Sequence, residues 1–259
     1  MKRIVLAGLG LAVLSVAASA ADLGARRRQP VAAPVAVAPA FTWTGLYAGV
    51  NAGYAWNSGD KWSTRGDATT LAYAGAGNFP VSGSFSRGGF VGGGQLGANY
   101  QMGRFVVGAE TDIMGLGSSK KSNFSMASGT YGTLKDANSW LGTTRIRLGV
   151  TPVDNLLIYG TGGAAYGGVK HSAFVVAPGV GGAAWAGSKS DTKFGWALGA
   201  GAEYAFTQNI TGRVEYLYYD LGRTNVALGA LNGAAAGAAP VMRAENRGNL
   251  IRAGLNYKF

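Results

Sequence analysis

From Trp43 onward the chain repeats one texture: apolar residues at every second position, with small or polar residues between them, in runs of about ten. Leu46, Ala48, Val50, Ala52, Tyr54 and Trp56 share one face of an extended chain, while Gly49, Asn51 and Gly53 share the other. Phe90, Leu96, Ala98 and Tyr100 stand against Gln95 and Asn99; Phe105, Val107, Ala109 and Ile113 stand against Glu110 and Asp112. Trp140, Ile146, Leu148 and Val150 oppose Arg145 and Arg147; Trp196, Leu198, Tyr204 and Phe206 oppose Glu203. Val214, Tyr216 and Tyr218 oppose Arg213 and Glu215, and Ile251, Ala253, Leu255, Tyr257 and Phe259 oppose Arg252, Asn256 and Lys258. Residues 156–166 are apolar on both faces and leave their orientation open. Period-2 alternation over about ten residues is the length a tilted strand needs to cross a bilayer.

The connections alternate in length. Gln101–Gly103, Thr151–Asp154 and Thr207–Gln208 are short, whereas Asn57–Arg87, Met114–Asp136, Val169–Thr192 and Leu221–Glu245 read as long loops. Short turns at one end and long loops at the other predict an all-β, eight-stranded, antiparallel up-and-down transmembrane β-barrel with periplasmic turns and extracellular loops.

The charges fix which face is which. Eight strands leave an interior only wide enough for side chains, so the bulky aromatics belong outside and the charges inside. Glu110, Asp112, Arg145, Arg147, Glu203, Arg213, Glu215 and Arg252 are thus expected as a salt-bridged plug. Glu203 would lie across from Arg213, Glu215 would face Arg252, and Glu110 and Asp112 would stand beside Arg145 and Arg147. Aromatics at strand ends suit membrane girdles. Trp43, Tyr100, Phe105, Phe206, Tyr257 and Phe259 would form the periplasmic one; Trp56, Trp140, Trp196 and Tyr218 the outer one.

Composition narrows the picture further. The 44 glycines among 259 residues disfavour a helical core, and the absence of cysteine removes disulfides and thiolate chemistry. Residues 1–20 carry Lys2 and Arg3, an apolar run from Ile4 to Val16 and Ala18-Ser19-Ala20, the pattern of a cleaved signal peptide. Residues 21–42, with prolines at 30, 34 and 39, are expected as a periplasmic Pro/Ala-rich tether, and 43–259 as the barrel. A net charge of +11 in an exported chain points to an anionic membrane surface and away from nucleic acid. Lys61, Arg65, Arg87, Lys120, Lys121, Lys135, Lys170 and Lys189 would form a basic loop collar facing outer-membrane lipid and lipopolysaccharide, on a barrel expected as a monomer.

Three stretches resemble the small outer-membrane immunogenic proteins of alphaproteobacteria, an OmpA-like branch of β-barrels. They are Phe41-Thr42-Trp43-Thr44-Gly45-Leu46-Tyr47-Ala48-Gly49, the run Tyr159-Gly160-Thr161-Gly162-Gly163-Ala164-Ala165-Tyr166-Gly167, and the ending Arg252-Ala253-Gly254-Leu255-Asn256-Tyr257-Lys258-Phe259. The resemblance implies an eight-stranded barrel in the outer membrane. It also implies that the assembly machinery reads the terminal aromatics, Tyr257 and Phe259. It brings no catalytic residue and no cofactor.

The remaining motifs point nowhere chemical. Gly92–Gly97 matches G-x-G-x-x-G, but Ala98-Asn99-Tyr100 continues a strand where a dinucleotide site needs a helix. His171, the only histidine, is expected exposed in a loop, without the base and orienting group that a nucleophilic site requires. A structural and surface-exposed protein is therefore expected, with a small pore or a loop-borne haem or host-surface binder as alternatives.

Overall fold

A strand that turns one face to hydrocarbon must still give every backbone N–H and C=O a partner, and a closed ring of strands does so without an edge. The computed structural model describes residues 41–259 apart from residue 236, and of residues 58–61, 84–87, 118–122, 136–138 and 235 it describes the backbone alone. The expected leader and all but Phe41 and Thr42 of the expected tether lie outside the described residues. So do the side chains of Lys61, Arg87, Lys120 and Lys121.

Among the described residues, eight long strands form the ring: β1 (Gly45–Arg65), β2 (Ser82–Met102), β3 (Phe105–Ser125), β4 (Tyr131–Val153), β5 (Leu156–Ala177), β6 (Ala183–Ala205), β7 (Ile210–Ala227) and β9 (Val241–Lys258). Each pairs antiparallel with its neighbour in the chain, and β9 returns to β1 with Tyr47 opposite Lys258. A two-residue strand, β8 (Gly229–Ala230), adds to β6. No helix among the described residues is long and apolar enough to cross a membrane.

Outward positions through the middle of the ring are aliphatic or aromatic, as expected. Phe90 is 79% exposed and Phe194 76%, with Leu46, Val50, Leu96, Ile113, Ile146, Leu198, Val214 and Leu255 also facing out. The two-faced run 156–166 is now oriented: Leu157, Tyr159, Thr161 and Ala165 point inward, and Ile158 points outward.

The long loops are a correction. A 21-residue strand such as β1 runs about 70 Å and, at about 40° tilt, rises about 50 Å, well beyond a hydrocarbon core of about 30 Å. A large part of each expected loop is strand continuing above the membrane: the β3–β4 connection shrinks to residues 126–130 and the β5–β6 connection to residues 178–182. Lys135, Lys170 and Lys189 therefore stand on strands and project outward or into solvent, and Arg65 ends β1. The alternation was misleading here because it changes meaning with height. Above the bilayer the outside is wet, and the inside is apolar.

The caps close the far end. Helix α1 (Ala68–Gly75) is opened by Asp67, whose carboxylate accepts from the Thr70 amide at 2.8 Å and the Ala239 amide at 3.2 Å. These N–H groups, Thr70's first, hold the Asp67 carboxyl below its ordinary range. A lowered value means that the clasp is present at neutral pH and is lost as pH falls through the folded-state value. Hydrogen exchange at the Ala239 amide is expected to speed up beyond its intrinsic pH dependence at pH 3, and at pH 7 in Asp67→Ala.

Candidate functional site

The interior is stacked in layers, because every second residue of every strand points into a space too narrow for anything but side chains. At the periplasmic end Trp43, Val106, Leu157, Tyr159 and Ala205 pack together. Trp43 is thus a correction to the expected girdle. It is 2% exposed, its amide donates to Gln101 Oε1 (2.8 Å) and its Nε1–H donates to the Asp154 carbonyl (3.0 Å), so it stoppers the mouth. The other periplasmic aromatics, Tyr100, Phe105, Phe206, Tyr257 and Phe259, do face out. Tyr257 and Phe259 sit edge to face at 5.3 Å, and the Phe259 amide donates to the Leu46 carbonyl across the β1–β9 closure.

Above Trp43 lies the charge layer, with all eight expected residues in it: Glu110, Asp112, Arg145, Arg147, Glu203, Arg213, Glu215 and Arg252 are each at most 3% exposed. Four guanidiniums meet four carboxylates, so the layer balances. Arg145 is the hub: Nη2 reaches Glu110 (2.8 Å) and Asp112 (2.7 Å), Nη1 reaches Glu215 (2.8 Å), and Nε–H donates to Thr143 Oγ1 (2.8 Å). Arg252 joins Asp112 (3.0 Å) and Glu215 (2.8 Å). Burial of charge at this density is tolerable only because each carboxylate has several donors.

The partners differ from the expected ones in one respect. Glu203 and Arg213 are opposite in register, yet Glu203 pairs with Arg147 at 2.6 Å, and Arg213 crosses the barrel to Glu110. Long side chains in an eight-stranded ring reach the far wall as easily as the next strand. Tyr47 and Tyr159, which the sequence reading placed in motifs without a role, complete the layer. Tyr47 donates to Glu110 (2.7 Å), Tyr159 donates to Glu215 (2.9 Å), and the Arg147 guanidinium lies 3.9 Å from the Tyr159 ring centre. The glycine run after Tyr159 also has a physical reason. A Cβ on Gly163 would lie 2.2 Å from the Thr144 carbonyl oxygen and 2.7 Å from Arg145 Cα, so only glycine lets β5 lie against the hub strand.

Next comes an apolar layer that includes Met114, Leu141, Ala165, Leu217 and Leu250, then a polar ring with Asn57, His171, Thr224 and Asn246. His171 corrects the expected exposed loop histidine: it is 6% exposed on β5 and its Nε2 lies 2.9 Å from Asn246 Oδ1, which fixes the ring inside the barrel. The cavity beside it measures 30 Å³, room for about one water and far too small for a macrocycle. A third apolar layer around Trp62, Phe79, Trp185 and Met242 closes the top. The glycines 92–97 lie within β2, with no helix following. No cluster among the described residues could hold a metal ion.

These features meet in known proteins. A family model described as outer membrane protein beta-barrel domain matches residues 8–259. The chain is 42% identical to the 31 kDa outer-membrane immunogenic protein of Brucella melitensis, over all of both chains. It is 34% identical to a 22 kDa outer membrane protein of Rhizobium leguminosarum, covering 84% of this chain and 85% of that one. Among solved structures it is similar to OprG of Pseudomonas aeruginosa (12% identity, 85% of this chain, 98% of that chain, TM-score 0.46). With a ring of eight strands, an apolar outer band and relatives named for the same compartment, the chain belongs to the outer-membrane β-barrel family, among the alphaproteobacterial immunogenic proteins, and resides in the outer membrane of a Gram-negative cell.

Proposed function

We propose that the chain is a structural, surface-displaying barrel with a closed lumen and no catalytic activity. The observation that carries this reading is the layering of the interior: a buried charge-balanced network lies between apolar layers, with Trp43 below and Trp185 above. A solute crossing the barrel would have to part the Arg145 hub from three carboxylates and then pass two dry layers. Large porins avoid this by having about twice the strands and an aqueous interior. The fixed, hydrogen-bonded position of the single histidine inside the wall supports a role without haem or acid–base chemistry.

Liposome swelling tests the reading. Vesicles carrying the refolded barrel are expected to shrink and stay shrunken in an isotonic-to-hypertonic shift with arabinose or glycine, as protein-free vesicles do. Re-swelling at a rate that scales with protein content would mean a solute path exists and the lumen opens.

A further inference from the structure

The outer wall formed by β6, β7, β9 and β1 carries two hollows, one above the other, and the lower one reaches Glu203 and Arg213 of the charge layer between the small residues of the wall. In the upper one, Arg243, Glu245 and Arg247 alternate outward along β9, and Arg223 of β7 pairs in register with Glu245. Its volume is 520 Å³. Glu245 engages Arg223 (3.1 Å) and Arg247 (2.6 Å), which leaves most of their ten N–H donors unused. Arg243 has no acidic partner among the described residues, and its Nε, though shielded from solvent, has no acceptor. Asp220, opposite Arg247 in register and accepting from the Gly222 amide at 2.7 Å, also lines the hollow, so three guanidiniums face two carboxylates and one positive charge is left over for a phosphate oxyanion.

Its height says which oxyanion. Two residues below Arg247, Asn249 is opposite Trp56 on one side and Tyr218 on the other, within the outward aromatic belt that also holds Trp196. Guanidiniums just above that belt lie at the level of the outer-leaflet headgroups. The lower hollow, 660 Å³, begins near the bilayer midplane at Ala52, Ala202 and Ala253 and runs down the same wall to Phe206 of the periplasmic girdle. Its floor is small (Ala52, Ala202, Ala253) and its walls are large (Tyr204, Phe206, Leu255). From Arg247 to Ala253 the strand runs about 20 Å, which is about 15 Å along the membrane normal, or one leaflet of hydrocarbon. The upper edge of the lower hollow is therefore within the reach of one acyl chain from the guanidiniums.

We infer that this wall binds a single phosphorylated glycolipid of the outer leaflet, with its phosphate on Arg243, Arg247 and Arg223 and one acyl chain ending over Ala202 and Ala253. The site goes beyond the closed-lumen reading and is independent of it, since a conducting barrel would have the same wall. It also relocates the basic surface expected of the whole collar to one side of the barrel. None of the three arginines is among those eight collar residues; Arg223 and Arg243 lie in a stretch expected as loop, and Arg247 in the expected last strand.

The test uses the refolded full chain in non-ionic detergent, observed by native mass spectrometry with bisphosphorylated lipid A, monophosphoryl lipid A and inorganic pyrophosphate as probes. One bisphosphorylated lipid is expected per barrel, held more tightly than the monophosphoryl form, and pyrophosphate alone is expected to be held at least roughly a hundredfold more weakly. Arg243→Ala with Arg247→Ala should weaken lipid binding by at least roughly tenfold. Ala253→Phe, which fills the lower hollow without touching charge, should weaken it as well. Lys135→Ala with Lys170→Ala and Lys189→Ala, which removes more charge elsewhere, should stay within about twofold. Heat-modifiable gel mobility establishes that each variant is folded. The site is wrong if both arginine and lysine variants lose lipid equally, if neither loses it, if pyrophosphate binds as well as lipid, or if the hollow proves to hold a second copy of the chain that Ala253→Phe releases.

Discussion

Arg145→Ala is expected to cost the barrel about 3–5 kcal/mol of folding stability, the range for removing one member of a buried ion cluster. Arg145 holds Glu110, Asp112 and Glu215 at 2.7–2.8 Å, sharing Asp112 and Glu215 with Arg252, and its side chain is fully enclosed. Without it, four carboxylates would share three guanidiniums in a space that water reaches poorly. A urea titration of the refolded barrel in detergent, followed by tryptophan fluorescence, reads the loss as a shift of the midpoint to lower denaturant with the slope preserved. Arg145→Met combined with Asp112→Leu restores three charges of each sign and should recover much of the shift, because an apolar replacement of a buried pair is often neutral. If the single variant unfolds at the wild-type midpoint, the network is ornamental and the layer has another source of stability.

The second large effect lies outside the membrane. Trp185 is fully buried in the top layer, 5.4 Å from the Phe79 ring and 6.4 Å from Tyr73, both delivered by the β1–β2 connection. Trp185→Ala should cost about 3–5 kcal/mol by leaving a large cavity. The loss should be confined to the protruding half, since the charge layer and the polar ring with His171 lie below it. Protease added outside proteoliposomes is therefore expected to cut the variant within the protruding strands and caps and leave a protected membrane fragment. Wild type should resist at the same dose. Uniform digestion of the variant would mean that the protruding part and the membrane part fold as one unit.

How much of this was legible depended on what each residue faces. In the membrane zone lipid imposes apolar residues outside and a narrow lumen imposes polar ones inside, so the alternation of β1, β7 and β9 could be oriented from sequence and the eight charges assigned to one interior. Their partners were less legible. Glu203 and Arg213 share a register that a strand diagram supplies, but a guanidinium on a long stem picks its carboxylate in three dimensions. Above the membrane the rule inverts: Val169, His171, Ala173 and Val175 face the closed interior, while Lys170 and Ser172 turn outward. Without a lipid boundary in the sequence to mark the change, that stretch read as loop, and His171 read as exposed. Trp43 failed for a related reason: an aromatic at a strand end suits a girdle and a stopper equally, and only the carbonyl of Asp154 decides.

The central claim is that the lumen is shut by its own side chains, and single-channel recording of the refolded chain in a planar bilayer tests it most directly. A silent bilayer is the expected result, provided that heat-modifiable mobility shows the barrel to be folded. Stable conductance steps in the wild type, changing in size with Arg145→Ala or Glu203→Ala, would contradict it, because current would then be passing through the layer said to close the barrel.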